Sequence, residues 1–364
     1  MGRVPAHATD RLLISAGVSP GRVCAPAMIL FLLPFAVAFL GALLLSPLTG
    51  RLARRFGFVD IPREPKHVHQ APTPRLGGVA LFLPFLVAVG LTLLLPVERK
   101  DPLELYRLTG LLLGSAIVFG LGLWDDKREL GPVPQFVVQF VAAAVAIYSG
   151  ITIAEIANPF GGLLDFSLPV TVALTLFWIL GMMNTVNWLD GLDGLAGGVT
   201  VIASVLLFAH SYRLGQYSVS LLPLALAGCV LGFLPFNFHP ARVFMGTSGA
   251  LFLGFALGTM SIIGGAKMAT ALLVMGIPIL DVAWQIINRL RLHRSPFLGD
   301  RGHLHHRLLD LGLSQRRVVL IFYLLCATFG TLALVLASGL HKLLVLMGMG
   351  LVALIVLVVL ARRV

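Results

Sequence analysis

Asn184, Asn187, Asp190 and Asp193 recur at every third position of the segment NTVNWLDGLDGLAGG, residues 184–198. On a helix that spacing aligns four oxygen-bearing side chains along roughly one face. Buried amides alone can tie neighbouring helices together. Two amides and two carboxylates in register, running into a glycine-rich tail, read instead as the edge of a cation or ligand site. Mg2+ takes oxygen ligands and often uses one or two protein groups plus substrate phosphates. The glycines let backbone come close to a ligand.

Four further segments, and one acid inside an apolar run, carry related chemistry. Asp125 and Asp126 close an apolar stretch in LWDDKREL. Carboxylates at a helix C-terminus oppose its dipole, which favours a base or metal ligand over a merely solvated end. The run GDRGHLHHRL holds His303, His305, His306 and Arg307. No Cys is near, and the spacing lacks the i, i+4 His pair of zinc proteases. The run therefore reads as a diphosphate-binding cluster, flanked by Arg301. TPRLGG and NFHPARVFMG supply turns and, in Phe244, a ring suited to stacking on a base or to packing in the core. Asp281 lies within the apolar GIPILDVAWQII. Acids inside spans are rare and usually paired or functional; orienting the next loop and taking part in catalysis stand equal for it.

The elements that must position these residues are apolar. Of the 364 residues, 58% are hydrophobic and 12% charged, against about 25% charged in soluble domains. The chain is expected to be an all-α, polytopic transmembrane bundle, since about 20 apolar residues suffice for one crossing. Runs at roughly 28–49, 77–95, 108–124, 135–153, 168–188, 195–212, 218–238, 248–266, 268–287, 318–339 and 343–361 give about eleven spans, within 10–12. Residues 1–25 are expected to be a disordered tail, and 26–364 one integral-membrane domain.

If the first span exits to the cytoplasm, 18 of the 27 Lys and Arg fall in cytoplasmic segments, as the positive-inside pattern requires. The N-terminus is then outside the cell (inner) membrane and the C-terminus inside. The five segments share the cytoplasmic face with seven of the ten His, so that face is expected to carry the site. The net charge of +11 is then mostly topological. It points to anionic lipid or phosphate and away from nucleic acid. The three scattered Cys form neither a disulfide framework nor a metal-ligand pattern. A transporter would gather ionisable groups near the membrane midplane in repeat-related broken helices; here they gather at one face, and no repeat is visible.

In combination and order, TPRLGG, GLWDDKREL, NTVNWLDGLDGLAGG, NFHPARVFMG and SPFLGDRGHLHHRLLDLGLSQRR resemble the polyprenyl-phosphate N-acetylhexosamine-1-phosphate transferases, over about residues 26–340. The last segment is similar to that of the bacterial undecaprenyl-phosphate N-acetylglucosamine-1-phosphate transferases. The related phospho-N-acetylmuramoyl-pentapeptide transferases carry three consecutive His where Leu304 interrupts the run here. The resemblance implies a reaction. A UDP-sugar binds with Mg2+ (or Mn2+), a polyprenyl phosphate attacks the sugar-linked phosphorus, and UMP leaves. This would be the first membrane step of a cell-envelope glycan such as lipopolysaccharide or teichoic acid. A homodimer is compatible with it.

The resemblance also implies roles. The Asp125/Asp126 pair would deprotonate or orient the lipid phosphate, with Asp190 nearby as a third catalytic acid. Asn187 would lie at the metal, Asp193 on the uracil with Phe244 stacked over it, and Lys66 near the nucleotide. His303, His305, His306 and Arg307 would hold the sugar diphosphate. One position departs. The family reads Met-Gly-Asp-x-Gly, with that Asp on the metal, whereas this chain reads Met245-Gly246-Thr247-Ser248-Gly249. Three readings follow: an inactivating substitution at Thr247, an enzyme in which Asp190 or Asp126 serves the metal instead, and a weakened relative that still binds nucleotide-sugar or lipid.

Overall fold

Apolar helices dominate because a chain in lipid must satisfy every backbone group within its own segment. The computed structural model describes residues 28–62, 71–265, 267–293, 295, 302–336 and 338–361. The expected N-terminal tail and Lys66 lie outside the described residues. In chain order the helices are α1 (Ile29–Phe56), α2 (Gly77–Thr92), α3 (Glu104–Arg128), α4 (Pro132–Tyr148), α5 (Leu168–Leu189), α6 (Leu195–Arg213), α7 (Tyr217–Asn237), α8 (Gly246–Ile262), α9 (Met268–Val274), α10 (Gly276–Arg291), α11 (Leu304–Asp310), α12 (Gln315–Val335) and α13 (Gly339–Ala361). Two antiparallel pairs interrupt them: β1 (Val59–Asp60) with β2 (Thr73–Pro74), and β3 (Glu155–Ala157) with β4 (Leu163–Asp165).

This is a polytopic all-α membrane protein, but the spans are less uniform than expected. Among the described residues, seven helices are long and apolar enough to cross a membrane. The α9–α10 pair, bent by 71°, makes an eighth if it counts as one broken span. Three more expected spans correspond to the shorter apolar helices α2, α4 and α8, of 16, 17 and 17 residues. Hydropathy counts them equally; helix length separates them.

Every residue of α8 is buried, and α3 and α5 pack along it. Lipid tails are as apolar as Leu, so close packing and not water exclusion joins such helices. The α3–α8 contact depends on Gly122: a Cβ there would lie 2.2 Å from the Ser248 Cα. That approach delivers the end of α3, with its two acids, to the start of α8. The Asp125/Asp126 pair, the α5–α6 turn, the α7–α8 loop, α11 and the start of α12 thus converge on one end of the bundle. The opposite end carries the β3–β4 hairpin and a separate polar clasp, in which Glu104 pairs with Arg99 and accepts a bond from the Ser218 hydroxyl.

Candidate functional site

Backbone lacing builds the floor. The Phe244 N–H donates to the Pro74 carbonyl, while the Gly77 and Gly78 N–H groups donate to the carbonyls of Phe244 and Met245, at 2.7–2.9 Å. TPRLGG and VFMG are thereby one unit. Phe244 is half-buried within it, and Arg75 reaches Asp126, its Nε 3.5 Å from Oδ1.

The two adjacent acids have different work. Asp126 is buried at the start of α8. It accepts the Thr247 N–H at 2.8 Å, the Ser248 N–H at 3.1 Å and the Ser248 hydroxyl at 2.6 Å. An anion at a helix N-terminus satisfies orphan donors and meets the positive end of the dipole. Gly246, at φ 69°, makes room for it, since a Cβ there would fall 2.5 Å from Oδ2. Asp125 Oδ1 accepts from the Leu130 N–H and Gln135 Nε2, each at 2.8 Å, closing the turn after α3. Its Oδ2 has no protein hydrogen-bond partner among the described residues.

The four-residue stripe does not persist as one face. Helix α5 ends at Leu189, and Asp190 caps it at φ −75°, ψ 37°. Asn184 turns to α4, its Nδ2 donating to Gln139 Oε1 at 2.8 Å, so it is the helix glue that an amide can be. Asp193 turns the other way: its Oδ2 accepts from His239 Nδ1 at 2.8 Å and the Ala241 N–H at 3.0 Å. Asn187 and Asp190 remain, half-buried, with side chains that make no protein hydrogen bond among the described residues. Poorly polar surroundings push the Asp190 carboxyl well above the usual carboxylate range, and the Asp193 and Asp126 carboxylates push it further, with Arg75 opposing. Asp190, Asp193, Asp126 and Arg75 therefore share one electrostatic neighbourhood.

The His-rich segment closes the site from the α11 side. His303 caps α11, and its ring lies 6.0 Å from that of Trp188 at the end of α5. His305 is buried, with neither ring nitrogen hydrogen-bonded among the described residues, and it presses on the α5–α6 turn: a Cβ at Gly191 would meet its Nε2 at 2.5 Å. Burial holds its pKa well below the ordinary imidazole value, and His306 and His303 lower it further. His305 thereby packs the His run against Gly191. Arg307 donates from Nε to the Gly302 carbonyl at 2.7 Å, and its buried Nη1 has no partner among the described residues.

Three residues outside the sequence-based expectations join the site. Arg75 stands beside Asp126, and His239 is oriented by Asp193. Arg316 fixes the His239 carbonyl through Nε and Nη2, at 3.2 and 3.1 Å. The basic character of TPRLGG and the His in NFHPARVFMG were the available signals; the pairing was not.

Among the described residues no group of three or more His, Cys, Asp or Glu side chains is set to hold a metal. The oxygen donors present nevertheless suit a hard divalent cation. Among the described residues the Asp190 carboxylate and Asn187 amide have no protein hydrogen-bond partner, like charges crowd Asp190, and Thr247 stands at the start of α8.

Comparison with known proteins bears on this arrangement. Residues 108–265 match the family described as Glycosyl transferase family 4. The chain is 35% identical over 321 residues to a Bacillus subtilis (strain 168) protein named "Probable undecaprenyl-phosphate N-acetylglucosaminyl 1-phosphate transferase", covering 86% of each chain. The chain belongs to glycosyl transferase family 4. Within this transferase family it is also 38% identical over 300 residues to the decaprenyl-phosphate N-acetylglucosaminephosphotransferase of Mycobacterium tuberculosis (strain ATCC 25618 / H37Rv), covering 75% of this chain and 74% of the relative. It is 34% identical over 320 residues to the phospho-N-acetylmuramoyl-pentapeptide-transferase of Geobacillus kaustophilus (strain HTA426), covering 82% and 95%. As a family 4 member the protein is a membrane-embedded transferase, and the residues gathered at one end of its bundle are its candidate active site.

Proposed function

We propose that this chain transfers a HexNAc 1-phosphate, with GlcNAc 1-phosphate as the first candidate, from a UDP-sugar to undecaprenyl or another polyprenyl phosphate, releasing UMP. The observation that carries the proposal is Asp190 with Asn187, two oxygen donors at the end of a membrane helix without a hydrogen-bond partner among the described residues, Asp190 crowded by like charges and opposed by Arg75. The names of the relatives supply the substrate class.

The residues divide the work. Asp125 Oδ2 accepts a proton from, or orients, the lipid phosphate. Asp193 keeps Oδ1 for the uracil, with Phe244 as its stacking platform and His239 and Arg316 bracing the loop. His303, His306 and Arg307 hold the sugar diphosphate. One oxygen of the lipid phosphate attacks the sugar-linked phosphorus, and the bond from that phosphorus to UMP breaks. A bound Mg2+ or Mn2+, held by Asn187, Asp190 and the Thr247 hydroxyl, would neutralise the diphosphate and polarise the phosphorus. The remaining catalysis is positioning and charge stabilisation of a phosphoryl group. Asp126 contributes by holding α8 in place. A lipid phosphate and a soluble nucleotide meet only at a membrane boundary, and the basic-residue pattern supports reading this end of the bundle as facing the cytoplasm.

UMP release from a panel of UDP-sugars, with undecaprenyl phosphate and Mg2+, tests the reading. Release with UDP-HexNAc and not with UDP-hexoses supports it. A second reading is favoured by Thr247: a neutral side chain where the family carries a metal-binding Asp suits a weakened relative that binds nucleotide-sugar without turnover. Binding of UDP-HexNAc with no UMP released would favour that reading.

A further inference from the structure

We infer that Asp281 is a positioning residue for His303, clamping the imidazole so that Nε2 is the ring atom offered to the substrate. This rests on the reading of His303 as part of the diphosphate site. Asp281 is buried on α10, and both of its carboxylate oxygens serve the His-rich segment. Oδ2 lies 2.9 Å from His303 Nδ1, and Oδ1 accepts the Leu304 N–H at 2.8 Å. One helical turn on, and so on the same face of α10, Gln285 donates to the Gly302 carbonyl. Arg307 Nε donates to that same carbonyl at 2.7 Å. Three consecutive residues, 302–304, are thus gripped by two side chains of one helix.

The geometry sets the proton. An ionised carboxylate only accepts, and its other oxygen is already committed to the Leu304 N–H. Nδ1 of His303 therefore carries hydrogen towards Asp281, and Nε2 is left for a ligand. Two rings also neighbour the His303 imidazole, Trp188 with its centroid at 6.0 Å and the near-parallel His305 at 5.6 Å, 9° apart. An acid inside an apolar helix is expensive and calls for a partner; here the partner is a site residue 22 positions away. An imidazole fixed before the substrate arrives need not be ordered during the reaction.

The test uses the full-length protein, UDP-HexNAc and undecaprenyl phosphate. Asp281→Asn is expected to lower kcat about tenfold or more with KM for the UDP-sugar within about twofold, and Asp281→Asn with His303→Ala to be no worse than His303→Ala alone. Multiplicative losses in the double variant would overturn the inference, because a structural acid acting independently of His303 gives that result. Should Asp281→Asn fail to fold, His303→Asn and His303→Gln decide. The Asn amide overlays Nδ1 and keeps the bond to Asp281, so His303→Asn should unfold at the wild-type temperature yet turn over as slowly as His303→Ala. His303→Gln lacks a group at Nδ1 and should unfold at a lower temperature. Wild-type turnover in His303→Asn, or equal unfolding temperatures for the Asn and Gln variants, would contradict the clamp. Unfolding is read without turnover, so a wild type that releases no UMP would count against the proposed function and leave the clamp to be judged by those temperatures.

Discussion

The Asp126 carboxylate sits on the first turn of α8, where Oδ1 accepts the Thr247 amide proton at 2.8 Å. An acid expected to act on a substrate thus anchors the helix whose first turn carries the departing residue. Asp126→Ala removes a charged acceptor from three buried donors, and bonds to charged groups are each worth about 1.5–3 kcal/mol. The variant should unfold at a clearly lower temperature in detergent, and Asp125→Ala should unfold closer to wild type. Equal unfolding temperatures for Asp126→Ala and wild type would remove the cap from the account.

Thr247→Asp should raise Mg2+-dependent UMP release by at least about tenfold, which needs only about 1.4 kcal/mol of transition-state stabilisation. A carboxylate on the first turn of α8 meets the favourable end of the dipole and adds a charged oxygen ligand. Equal turnover of the two proteins across a magnesium titration would mean that the acids already present suffice.

Asp190 gives a pH and metal prediction with a definite sign. Its carboxyl titrates above the ordinary range in the folded protein because of low-polarity surroundings and the Asp193 and Asp126 charges. The folded state therefore holds this proton more tightly than the unfolded chain. The group's contribution to stability is present at low pH and is lost as pH rises from the ordinary carboxylate range towards the raised value. At neutral pH in EDTA, Asp190→Asn should unfold at a higher temperature than wild type, and Mg2+ should stabilise wild type more than the variant. A lower unfolding temperature in the variant, with an unchanged Mg2+ effect, would place the cation elsewhere.

The apolar runs, the all-α class and the gathering of five segments at one end were legible from hydropathy and order alone. Partner choice was not. The every-third-residue stripe assumed a helix running through Asp193, but the chain leaves the helix at Asp190 and turns through Gly191 and Gly194, so the four side chains diverge. Asp126 finds its donors 121 and 122 residues away, and Asp193 finds His239 46 residues away; such pairings depend on how α3, α5 and α7 pack around α8. Local spacing also could not reveal that His305 packs against Gly191.

Asp193→Ala should weaken UDP-sugar binding more than about tenfold, as loss of a buried hydrogen bond worth about 1–3 kcal/mol allows. His239→Ala should weaken it by less, since His239 acts partly through the loop it braces. Calorimetry giving wild-type affinity for a folded Asp193→Ala would take Asp193 out of the nucleotide pocket.

Orientation is tested with single Cys in a background lacking Cys24, Cys229 and Cys326. Arg128 is exposed at the candidate-site end, and Phe160 is 82% exposed at the hairpin end. An impermeant maleimide should label Phe160→Cys in intact cells and Arg128→Cys only in inverted vesicles. The reverse pattern would turn the whole site outward.

Movement of a sugar-bearing phosphoryl group to a lipid phosphate is read directly by isotope placement. UDP-HexNAc carrying 32P at the sugar-linked phosphorus, incubated with the protein, undecaprenyl phosphate and Mg2+, should deliver its label to the lipid fraction and leave the released UMP unlabelled. Label retained in the nucleotide with HexNAc on the lipid, or no transfer while UDP-HexNAc is bound, would contradict the account.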